Sequence, residues 1–206
     1  MPVYLDETSV VPLLTRMKLP RHILLDMATK IGGERANVAP HEPDNVVGFE
    51  TWRWGTRFFR ESKELKQLGW VLCDNDQVAG IRNREARIKL VCCGTNENTG
   101  NPEKSPRNLS ERGANSIKLI GMNARQIEMF SESEVRDSLW YYCTHFCENH
   151  IAIEVSRPTI QVSGYVTEFS HRLIVAQPGE IPGIRRFSVP EEFADVPKPQ
   201  VSRKLG

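Results

Sequence analysis

The sequence predicts an α+β fold, and three observations carry that prediction. Apolar residues recur at spacings of three and four near the N-terminus and again over 51–68, the period of helices packed on one face. Short runs rich in β-branched residues over 70–93 and 151–176 alternate in the manner of strands. A serine and a glutamate before residue 135 have the form of a helix start. With 206 residues, 39% of them apolar, the chain is long enough for one buried core. The expected organisation is one globular domain over 1–176, followed by an extended Pro-rich arm over 177–206.

Pro12 and Pro20 each sit where a helix can begin, because proline at the first helical position forfeits only a donor that is unpaired there anyway. The second of these helices, from about Pro20 to Ile31, carries Ile23, Leu24, Met27 and Ile31 on one face and is expected to stop at Gly32-Gly33. Residues 34–48 hold Pro40, Pro43 and Gly48 and read as a loop. A long helix follows from Thr51 to Leu68, with Trp54, Phe58, Leu65 and Leu68 as its core face and Gly69 as its end. Trp70–Cys73, Val78–Ile81 and Ile88–Cys93 form an antiparallel meander, the first two joined at Asp74-Asn75-Asp76.

Segment 94–115 has only Leu109 and Ala114 as apolar side chains, so it reads as a long polar, mobile loop. The similar runs 88–91 and 117–120 on either side of it are expected to pair as strands. Ser131 and Glu134 make a capping box, with Phe130 stapled to Val135, for a helix over about Glu132 to Cys147. Its stripe is Val135, Leu139, Tyr142, Cys143, Phe146 and Cys147. Strands 151–155, 159–163 and 165–176 make a C-terminal hairpin, broken at Arg157-Pro158 and Gly164. The last 30 residues hold five of the 13 prolines and form the arm.

The 27 Lys and Arg nearly balance the 26 Asp and Glu, which excludes a uniformly basic binder. No apolar run reaches the length of a membrane span and the N-terminus lacks the pattern of a signal peptide, so the expected protein is soluble, intracellular and cytoplasmic. Five cysteines without a secretory signal favour reduced thiols, and the neighbours Cys92 and Cys93 should face opposite sides of a strand. Gly-x-Ser-x-Gly, Gly-x-Gly-x-x-Gly and Walker patterns are missing, and no cofactor is predicted.

Three constellations remain. On a helix, Cys143, Cys147 and His150 share a face and could ligate zinc; core packing is the favoured reading, because the same positions continue an apolar stripe. Glu154, expected to face outward from its strand, could join Glu168 and His171, near Arg172, in a metal-dependent, nuclease-like hydrolase. The third is basic: residues 51–118 carry 13 Lys and Arg against eight Asp and Glu, a local excess of five. Arg53, Arg57 and Arg60 align on the long helix, and Lys104, Arg107 and Arg112 lie in the polar loop. Against this, Arg57 with Glu61 and Arg60 with Glu64 have the spacing of ordinary helix ion pairs, and Trp52, Trp54, Phe58 and Phe59 read as core. The leading expectation is a non-catalytic binding protein that contacts nucleic acid or another anion through these six residues. The others are the hydrolase and a protein-interaction subunit, using the 177–206 arm towards a partner or a second copy of the chain.

Overall fold

The computed structural model of the chain describes residues 2–39, 41–128 and 137–184. Helices surround a seven-stranded mixed sheet, as the α+β class requires. The strands are β1 (Val3–Tyr4), β2 (Trp70–Cys73), β3 (Gly80–Asn83), β4 (Ile88–Gly94), β5 (Ser138–Phe146), β6 (His150–Val162) and β7 (Tyr165–Pro182), in the spatial order β1-β7-β6-β5-β4-β3-β2. The expected meander is present, since β2–β3 and β3–β4 are antiparallel and a 3₁₀ turn at Asn75–Gln77 joins the first pair. The β1–β7 and β4–β5 pairs are parallel, and the other pairs are antiparallel.

Helices α1 (Glu7–Arg16), α2 (Arg21–Ala36) and α3 (Asp44–Glu61) cover one face of the sheet, and a short α4 (Lys63–Gln67) leads into β2. Leu24, Ile31, Phe59, Cys92, Tyr142 and Ile153 belong to the core on this face. The other face carries a second, smaller core that includes Val91, Cys93, Ile120, Tyr141, Cys143 and Phe169, covered by segment 94–113 and α5 (Ala114–Glu128). Cys92 and Cys93 therefore fall on opposite faces, as strand alternation demands.

Several elements differ from the sequence expectation. α2 runs through Gly32-Gly33 to Ala36, and Gly32 serves close packing rather than a stop, since a Cβ there would come within 2.8 and 3.1 Å of the Ile184 and Ile151 side chains. α3 begins at Asp44, after Pro43, and its buried face is Thr51, Gly55 and Phe59; Trp54 and Phe58 are half-buried on its flank. Ser62 separates α3 from α4, where its hydroxyl caps the Leu65 amide.

Residues 117–120 are helical, and the true partner of β4 is β5, reached by a crossover through α5. Asn123 fixes that crossover: its side-chain amide donates to the carbonyls of Leu139 and Pro158, and its carbonyl oxygen accepts from the Leu139 amide. Segment 138–146 is a strand, correcting the expected helix. As a central strand it is buried on both faces, so a near-continuous apolar run matches helical and strand periods alike. The capping box at Ser131 and Glu134 lies outside the described residues. β7 continues past Ala176 to Pro182, opposite Ile151 and His150, and the arm beyond residue 184 also lies outside the described residues. No described helix is long and apolar enough to cross a membrane.

Candidate functional site

The two basic groups predicted to act together lie on opposite faces of the sheet. α3 packs over Cys92, so closely that a Cβ on Gly55 would run into its sulfur, whereas Arg112 reaches Cys93 from the other side, with Nη2 2.7 Å from Sγ. On α3, Arg53 pairs with Glu50 at 2.8 Å, Arg57 pairs with Glu61 at 2.8 Å, and Arg60 bridges Asp74 and the Gly80 carbonyl. The Arg53 and Arg57 guanidinium carbons also lie over the Trp54 ring, 4.8 and 4.9 Å from its centroid. On the same helix Phe49 and Trp52 are 55% and 40% exposed, with their rings 5.7 Å apart. The sequence pattern places Trp52 and Trp54 in the core, and the structure does not. A helix that exposes Phe49 and Trp52 together with Arg53 and Arg57 is the main departure from an ordinary solvated helix.

Segment 94–113 folds back onto the sheet through buried polar anchors. Asn108 donates to the Ser110 and Gly164 carbonyls and accepts from the Val166 amide, and the Thr95 hydroxyl bonds Thr99 and the Thr144 carbonyl. Lys104 is exposed, and Arg107 lies over the Tyr165 ring at 4.0 Å. Arg112 is turned inward, over Tyr141 at 5.3 Å as well as beside Cys93. A hydrogen bond with Cys143, and then the Arg112 charge, bring the Cys93 thiol down to about 7 against the opposing effect of burial. Burial pushes the Cys92 thiol up to about 12 and raises Cys143 and Tyr141 as well.

The hydrolase constellation is not assembled. Glu154 is fully buried, contrary to the expected outward orientation, because segment 94–113 covers its face of the sheet. Its Oε1 accepts from Arg172 Nε at 2.9 Å and from Ser156 Oγ at 2.6 Å, while Oε2 accepts from the Gly100 amide at 3.0 Å. Arg172 donates in turn to the carbonyls of Lys104 and Asn101. His171 points to the opposite face, stacked on Tyr4 at 6.4 Å and beside Trp140 at 6.1 Å, and Glu168 is exposed. Glu154 is a structural tie between segment and sheet.

Of the expected Cys143, Cys147 and His150 set, only the last two meet. Cys143 is fully buried against Cys93 in the middle of β5. At the hairpin between β5 and β6, one ligand atom from each of His145, Cys147 and His150 lies within 4.8 Å of the other two. Cys147 Sγ is 3.3 Å from His150 Nδ1, and the Cys147 amide donates to the His150 carbonyl at 3.0 Å. Burial, and then the neighbouring His145, lower the pKa of His150. The sequence signal for His145 was its two-residue spacing from Cys147, which matters only once 138–146 is a strand.

No family model matches this chain, and no curated protein or solved structure is significantly similar to it.

Proposed function

We propose that this is a non-catalytic binding protein that engages an anionic partner, single-stranded nucleic acid above all, along the outer face of α3. The carrying observation is that α3 exposes Phe49 and Trp52 and also holds the Arg53 and Arg57 guanidinium groups at its surface over the Trp54 ring. Aromatic surfaces stack on any base, worth about 1–3 kcal/mol per base, and guanidinium groups neutralise the intervening phosphates. The carboxylate partner of Arg57 is no obstacle, since an exposed ion pair contributes at most about 1 kcal/mol and a phosphate can take the place of Glu61. Lys104 and Arg107 fall outside this footprint, because a ligand on α3 would have to reach round the sheet to meet them.

The test is anisotropy of a labelled single-stranded oligonucleotide, read together with tryptophan fluorescence. Binding at low salt is expected to weaken as salt rises, with a slope of about two phosphates. Trp52→Ala and the pair Arg53→Ala, Arg57→Ala should each weaken it, and Lys104→Ala with Arg107→Ala should not. Absence of binding at low salt, or indifference to the α3 substitutions, removes the proposal.

A further inference from the structure

The hairpin cluster lies apart from the α3 face and has a different chemistry. We propose that His145, Cys147 and His150 bind a zinc ion and leave one coordination position open.

Two imidazoles and a thiolate are the nitrogen and sulfur donors that a borderline-soft, tetrahedral ion selects. With Zn–S near about 2.3 Å and Zn–N near about 2.0 Å, tetrahedral angles place a ligating sulfur and nitrogen about 3.5 Å apart. Cys147 Sγ and His150 Nδ1 stand 3.3 Å apart before any metal is considered. The third donor lies within 4.8 Å of both, so side-chain rotation at the half-buried end of a hairpin closes the triangle.

The surroundings also prepare the site. His145 Nδ1 lies 3.1 Å from the Thr95 carbonyl. A carbonyl can only accept, so Nδ1 carries the proton and Nε2 keeps its lone pair, the arrangement by which a supporting acceptor orients a ligand imidazole. Thr95 is itself fixed, its amide and hydroxyl both donating to the Thr144 carbonyl.

Among the described residues, no further Cys, His, Asp or Glu joins the cluster. Structural zinc sites are closed by four protein ligands, while three ligands leave room for water or a small exogenous donor. Cys147 also lines a cavity of about 250 Å³ together with Gly32, Arg35, Phe146, Glu148 and Ile184. The Arg35 guanidinium, 4.7 Å from the centre of the Phe146 ring, adds positive charge to that wall. Glu148 on the same wall offsets that charge, so the cavity beside Cys147 suits water.

The full chain, reduced, would be titrated with Zn²⁺ against a chromophoric chelator and with Co²⁺ for its spectrum. One ion per chain is expected, with a thiolate-to-cobalt charge-transfer band and tetrahedral d–d bands that shift on adding azide. Cys147→Ser should abolish the charge-transfer band, and His150→Ala should weaken zinc binding about 100-fold or more, at least the loss seen when a supporting partner is removed. Cys143→Ser and the Arg53→Ala, Arg57→Ala pair should leave zinc affinity unchanged, which separates this site from the α3 proposal. Circular dichroism confirms that each variant folds, and either ligand variant alone suffices for the readout. Lack of a thiolate band, unchanged zinc affinity in the folded ligand variants, or a cobalt spectrum indifferent to azide overturns the proposal.

Discussion

Cys92 and Cys93 are neighbours in β4 with opposite acid–base behaviour, and the cause is what each side chain meets. Cys92 sits beneath Gly55 of α3, where burial raises it to about 12. Cys93 meets Cys143 and Arg112, which lower it to about 7. For an acid whose folded pKa is depressed, the stabilisation is complete above its ordinary value of 9.0 and is lost as pH falls towards about 7. The protein should therefore gain thermal stability between pH 7 and pH 9, and Cys93→Ser should flatten that rise. Thiolate ultraviolet absorbance should titrate near 7, and Arg112→Ala should move the midpoint upward; a midpoint unmoved by Arg112→Ala refutes the assignment. The opposition of the two cysteines was legible from strand alternation. The partner was not, because Arg112 lies 19 residues further along the chain and arrives through a fold-back of segment 94–113.

The elements show where periodicity succeeds and where it gives the wrong answer. In α3, Gly55 and Phe59 face the sheet and Thr51 is buried beside Arg35 of α2, while of the expected stripe Phe58, Leu65 and Leu68 join or pack against the core and only Trp54 stays out of it. Gly55 is small because Cys92 occupies the space a side chain would need. Replacing Gly55 by valine should cost about 1–3 kcal/mol from overpacking, despite the better helix propensity. A Cβ added at Gly33 in α2 would meet nothing within 4 Å, so Gly33→Ala should gain about 0.5–1 kcal/mol. Denaturant midpoints of the two variants should thus move in opposite directions, and a common direction would contradict the packing described. β5 failed for a different reason. Leu139, Tyr142, Cys143 and Phe146 satisfy a helical stripe, and only burial of Trp140 and Tyr141 on alternate faces distinguishes the strand.

At the scale of the molecule, the pair Glu154 and Arg172 joins the polar segment to the sheet through side-chain and backbone bonds. Glu154→Gln leaves Arg172 as an uncompensated buried charge and should cost about 3–5 kcal/mol, with faster amide exchange at Gly100 and along 94–113. Replacing both by methionine should not recover that loss, since the Gly100 amide and the Asn101 and Lys104 carbonyls would then lose their side-chain partners. Wild-type stability in Glu154→Gln would show that the tie does not hold the segment. The sequence by itself determined the fold class, the β2–β4 meander, the separation of Cys92 from Cys93 and the basic excess of the middle region, all of which depend on local period and composition. Only the tertiary structure decided that α3 and segment 94–113 stand on opposite faces, that Glu154 is buried in an ion pair, and that His145 joins Cys147 and His150. Those facts depend on strand order and on the crossover through α5, contacts between residues far apart in the chain that no local pattern encodes.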